Sequence, residues 1–261
     1  MDPSATLIDS SIDPPNNQES AGCTDPRRPS VNRPVLAAIE VFLCSDFPTQ
    51  AGLAWAMTFF GFGPLDPDGG LNLQFVAPLL LVDTVVLIGL ILLFLRVHGE
   101  RPRKVFLGEA HWGTELRAAL PMVGVAYAIA LTVMLTVGAI APWLHTVEKN
   151  PLQNLLLAPR DAAIFALVVI LAGGVREEIQ RAFILTRFEQ SLGGAAAGIV
   201  VSSLAFGVGH IVQGVDAAIA TGILGAFWGV AYLRRRSVIS PIVSHAAFDL
   251  LQIAFFLVSG R

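Results

Sequence analysis

The chain has 261 residues, 54% of them hydrophobic and only 14% charged, with a mean hydropathy of +0.66. Such a composition is too apolar for one water-soluble core of this size and predicts a membrane protein. The net charge of −3 and pI near 5.9, without any basic cluster carrying interleaved aromatics, exclude a nucleic-acid partner.

Residues 1–34 are rich in Asp, Pro, Ser and Asn, contain no apolar run, and predict a disordered polar tail. Cys23 in this tail and Cys44 beyond it are the only cysteines, too few for a disulfide framework or a thiolate metal site. Apolar runs of membrane-crossing length follow near 35–62, 73–97, 116–141, 160–188, 193–212, 215–233 and 237–258. Backbone groups in lipid are satisfied only inside helices or closed barrels, and none of these runs alternates with a period of two. The fold class is therefore an all-α membrane bundle of seven helices, or eight if the short run Leu155–Leu157 also crosses.

Arg96, Arg101, Arg103 and Lys104 separate the second and third runs, and Arg234, Arg235 and Arg236 separate the sixth and seventh. Basic loops stay in the cytoplasm, so the chain is expected to be a multi-pass protein of the cell membrane with a cytoplasmic amino terminus. Small residues gather in the second half, and Gly225 and Gly229 have the spacing that lets helices approach closely in lipid. The division expected is a tail over 1–34, membrane helices over 35–158, and a core with a polar site over 159–257.

That core carries ionisable groups where each costs about 2.5–3.5 kcal/mol to leave water. Glu177 and Glu178 lie four and three residues before Arg181, within reach on a helix, and Arg176 is a second candidate partner. A carboxylate left over from such a pair is what a general base requires. Phe206 and His210 are one turn apart in the next run, as are His245 and Asp249 in the last, where the carboxylate can orient the imidazole. Ser202, Ser203 and Ser244 lack the glycine-flanked turn of a serine nucleophile. Asp83 and Asp249 form the only conceivable aspartyl couple. Asp83, like Glu40 and Asp46, is equally explained by pairing between helices, whereas Arg187 and Glu189, with His98, His111 and His145, read as solvated or interfacial.

The runs Glu177-Glu178-Ile179-Gln180-Arg181, Phe206-Gly207-Val208-Gly209-His210 and His245-Ala246-Ala247-Phe248-Asp249 resemble, in order and placement, the three motifs of the CAAX protease and bacteriocin-processing family of intramembrane proteases. The resemblance spans about residues 160–257. It implies peptide-bond hydrolysis by water that Glu177 or Glu178 activates with His210, with His245 and Asp249 serving the oxyanion. An ionised Asp249 has no proton to give, so it is expected to orient His245. The family spaces its second glutamate and arginine by three residues, whereas two separate Glu178 from Arg181, which leaves open which glutamate is the base. No cofactor is expected. Zinc on Glu177, His210 and His245 is the alternative, although no HExxH helix is present. The partners implied are a peptide or protein substrate, prenylated or not, and membrane lipid. A non-catalytic scaffold or immunity-type protein is the competing function, and a transporter or proton relay the third.

Overall fold

The computed structural model describes residues 33–156 and 158–259; nearly all of the expected tail, with Cys23, lies outside them, as does Leu157. Among the described residues every regular element is helical, apart from one isolated bridge between Leu65 and Leu71. The principal helices are α1 (Arg33–Leu43), α2 (Phe47–Phe59), α3 (Leu73–Val97), α4 (Pro102–Phe106), α5 (Trp112–Ile140), α6 (Pro159–Val168), α7 (Glu177–Ser191), α8 (Gly194–Gly209), α9 (Val215–Arg235) and α10 (Ile239–Ser259).

Four of these, α3, α5, α9 and α10, are long and apolar enough to cross a membrane. The other expected crossings are shorter or interrupted. The run over 35–62 is two helices, broken where Asp46 takes a left-handed φ of 70° and Pro48, lacking an N–H, follows at the start of α2. The run over 160–188 is α6 and α7 joined by a π-helical stretch, Val169–Arg176. Helix α8 has 16 residues. The run considered for an eighth crossing is a 3₁₀ piece, Pro151–Leu156, whose Leu155 and Leu156 are buried beside Ala77 and Phe165.

Two ends of the bundle can be followed through their contacts. At one, Val238 N donates to Phe106 O at 2.8 Å, Arg236 pairs with Glu189, and Glu115 accepts from Arg235 at 2.7 and 2.9 Å. Arg187, expected to be solvated, is 2% exposed there, donating to Glu40 at 2.5 Å and Glu100 at 2.7 Å. Glu40 also meets His98 at 2.5 Å, so the intrahelical charge of α1 is satisfied by two neighbours. At the other end the segment 141–156 folds over the loops at 60–72 and 210–214, where Gly70 packs on Asn154 and Gly214 on Val147. Helices α8 and α9 cross between the ends in backbone contact. A Cβ on Gly207 would stand 2.8 Å from Ala218 O, so only glycine permits this approach.

Candidate functional site

The π-helical stretch sets the site. Such widened turns concentrate at functional positions, and this one ends at Glu177. Gly173 and Gly174 let it lie directly against α10: a Cβ would fall 2.8 Å from Asp249 Oδ2 at the first and 2.8 Å from Ala246 Cβ at the second. His245 and Asp249 are thereby brought beside Glu177 and Glu178.

The two glutamates differ in their surroundings. Glu178 is 1% exposed, pairs with Arg181 three residues on, and accepts from His245 Nδ1 at 2.7 Å. Glu177 lines the cavity described below. Its Oε1 lies 3.3 Å from Arg176 Nη2, and its Oε2 stands 3.9 Å from His245 Nε2. Asp249 Oδ2 is 3.7 Å from the same nitrogen. The orienting contact on His245 is therefore made by Glu178 at Nδ1, while Asp249 faces the opposite nitrogen beyond hydrogen-bond distance. Because a carboxylate only accepts, Nδ1 carries the proton and Nε2 is the ring atom turned toward Glu177 and Asp249.

Arg176 is the second anchor. It donates to Asp83 Oδ2 at 2.5 Å and reaches Asp46 Oδ2 at 3.3 Å, as well as Glu177. Asp83 is thus committed to Arg176, which leaves nothing of an aspartyl couple. Gln180 Nε2 donates to Cys44 O at 2.7 Å, satisfying a carbonyl freed where α1 breaks. The amino-terminal helices therefore supply Asp46 and Asp83 to the site, contributions that the motifs in residues 160–257 could not reveal.

His210 caps α8, with its Nδ1 at 2.8 Å from Phe206 O. A carbonyl also only accepts, so Nδ1–H donates and Nε2 offers a lone pair. No carboxylate of the described residues pairs with His210, which lines the cavity apart from the Glu178–His245 couple. Phe206 bridges them, its ring 4.6 Å from His210 and 6.2 Å from His245, with the Arg181 guanidinium 4.7 Å over it.

Trp228 has no counterpart in the sequence reading. Its ring stacks on His245 at 3.8 Å and 15°, and its Nε1 donates to Ser244 Oγ, which in turn donates to Pro241 O. Only its position in a glycine-rich helix beside Gly225 and Gly229 hinted at close packing. The bond also accounts for Ser244.

These groups line a cavity of about 710 Å³ whose wall includes Glu177, Arg181, His210, Trp228, His245 and Asp249. Among the described residues no three His, Cys, Asp or Glu side chains stand close enough to hold a metal ion, so Glu177, His210 and His245 do not form the ligand set considered for zinc.

Residues 159–251 match the family described as type II CAAX prenyl endopeptidase Rce1-like, and all three motifs lie within the match. This part of the chain is similar to an Rce1-like domain. No curated protein and no solved structure matches the chain. The Rce1-like family comprises CAAX-type intramembrane proteases, in keeping with the helices here that are apolar enough to span a membrane. Residues before 159, including Asp46 and Asp83, fall outside the matched segment.

Proposed function

We propose that the protein is an intramembrane endopeptidase that hydrolyses peptide bonds of membrane-associated substrates, with Glu177 as general base. The observation that carries this is the contrast between the glutamates: Glu177 borders the cavity, whereas Glu178 is buried against Arg181 and His245.

In this reading Glu177 takes a proton from water as the water oxygen attacks the carbonyl carbon, and Arg176 holds the carboxylate in place. The lone pair on His210 Nε2 is a second acceptor facing the same space. The carbonyl oxygen becomes an oxyanion and receives an N–H bond from His245 Nε2. With Nδ1–H engaged by Glu178, Nε2 donates only when the ring is an imidazolium. The carboxylates of Glu178 and Asp249 and the face of Trp228 surround that ring. As the C–N bond breaks, the proton held by Glu177 passes to the departing amine. Asp249 then acts on the charge of His245 rather than on the oxyanion.

The test is cleavage of a quenched peptide library, including prenylated carboxyl-terminal peptides, by purified protein in liposomes. Glu177→Ala and His210→Ala should each lower kcat by about 100- to 10,000-fold. Unchanged cleavage in both variants sinks the mechanism, and no cleavage by folded wild type returns the chain to a scaffold role.

A further inference from the structure

Asp83 is a fully buried carboxylate that no step of the mechanism uses. It sits on α3, outside the segment that matches the family, and it does not line the cavity, so a peptide bound there cannot touch it. Its Oδ2 nevertheless accepts from Arg176 Nη1 at 2.5 Å, with Gln50 Nε2 at 3.4 Å from the same oxygen. The other arm of that guanidinium, Nη2, stands 3.3 Å from Asp46 Oδ2 and 3.3 Å from Glu177 Oε1.

This contact is not a local product of the sequence. Adjacent residues on a helix point about 100° apart, so Arg176 and Glu177 do not face each other through helical spacing alone. The guanidinium meets Glu177 from a position fixed by α3 on one side and by the break between α1 and α2 on the other. Asp46 is at that break with φ 70° and ψ −40°, backbone angles unfavourable for a residue with a Cβ and kept only where the surroundings hold them.

We propose that Asp83 is a positioning residue for Glu177, acting through Arg176. This rests on the endopeptidase reading with Glu177 as base, and it gives a helix outside the family match a part in that reaction. Asp83 fixes Nη1, the rigid plane of the guanidinium carries the constraint to Nη2, and Nη2 holds Glu177 Oε1. Glu177 Oε2, the oxygen on the His245 side, is then the one placed to take the proton from water. Without the Asp83 charge the cation keeps only its 3.3 Å contacts with Asp46 and Glu177 and settles between them. A base displaced by about 1 Å loses about 100-fold in rate.

A double-mutant cycle of Asp83→Asn and Arg176→Gln tests this, with peptide cleavage in liposomes and Tm measured for all four proteins. Asp83→Asn should lower kcat by about 10- to 100-fold with KM little changed. Added to Arg176→Gln, it should cost no further rate, because Asp83 then has nothing to act through. It should also raise Tm, because it removes a buried carboxylate that has lost its cation. The double variant thus regains stability without regaining rate. A kcat that recovers together with Tm makes the pair structural and overturns the inference. So does full activity in Asp83→Asn, or the same fold-loss from Asp83→Asn in both backgrounds. If Asp83→Asn alone does not fold, the comparison of Arg176→Gln with the double variant decides the question by itself. Folded wild type that cleaves no peptide removes the endopeptidase reading and the inference with it, whereas active wild type with an unaffected Asp83→Asn removes the inference alone.

Discussion

Gly174→Ala perturbs the joint that holds the site together. The added methyl would meet Ala246 Cβ at 2.8 Å, Ala246 Cα at 3.3 Å and Ile242 O at 3.3 Å. Two of those atoms are backbone and none can rotate away, while ordinary carbon contacts begin near 3.5 Å. Helix α10 must therefore retreat by roughly 0.7 Å, the difference between that contact distance and the shortest approach. Overpacking of this kind costs about 1–3 kcal/mol. The shift is delivered next to His245, and a misplacement of about 1 Å can cost about 100-fold in rate. The expected outcome is a lowered Tm and a kcat reduced by about 10- to 100-fold with KM little changed, read by thermal unfolding in detergent and by peptide cleavage in liposomes. Gly138→Ala is the control, because a Cβ there meets nothing within 4 Å. It should leave kcat unchanged and gain up to about 1 kcal/mol from helix propensity. Wild-type kcat and Tm in Gly174→Ala would refute the argument that close approach of α10 assembles the site.

Trp228→Leu removes the aromatic face on His245 and should lower kcat by about tenfold at constant KM, whereas Trp228→Phe keeps a face and should retain most of the rate; equal losses would show that the indole serves packing alone. Arg187→Ala leaves Glu40 buried with only His98 as partner and should cost about 3–5 kcal/mol, seen as a fall in Tm and in monodisperse yield; an unchanged Tm would show that the pair does not stabilise the bundle. Arg176→Gln frees Glu177 and leaves the buried Asp83 with only the 3.4 Å contact from Gln50 Nε2, so it should depress both stability and kcat; a stable protein with full activity would remove Arg176 from the account.

The helical class and the residues of the polar cluster were legible because charge in an apolar run needs a partner or a task. Glu177, Glu178, His245 and Asp249 do converge, as helical spacing predicts for each pair alone. The order of contacts was not legible. One-turn spacing pointed to Asp249 as the orienter of His245, yet Glu178 from a different helix holds Nδ1, because the π-helical turn and two glycines bring α7 onto α10. The break at Asp46 was hidden in a run that hydropathy reads as continuous, since one left-handed residue before a proline changes direction without changing composition. Arg187 looked like an interfacial charge from its neighbours in sequence and is buried by Glu40, 147 residues away. Long-range pairing of this kind leaves no local signature.

The most direct measurement compares Glu177→Gln with Glu178→Gln in single-turnover cleavage of one peptide in liposomes, with folding checked by Tm. The account predicts that Glu177→Gln loses about 1,000-fold or more in rate with its Tm preserved. Glu178→Gln should lose less in rate and more in stability, because it unpairs Arg181 and His245. A Glu177→Gln protein that cleaves at the wild-type rate, beside an inactive but stable Glu178→Gln, would contradict the assignment of the base.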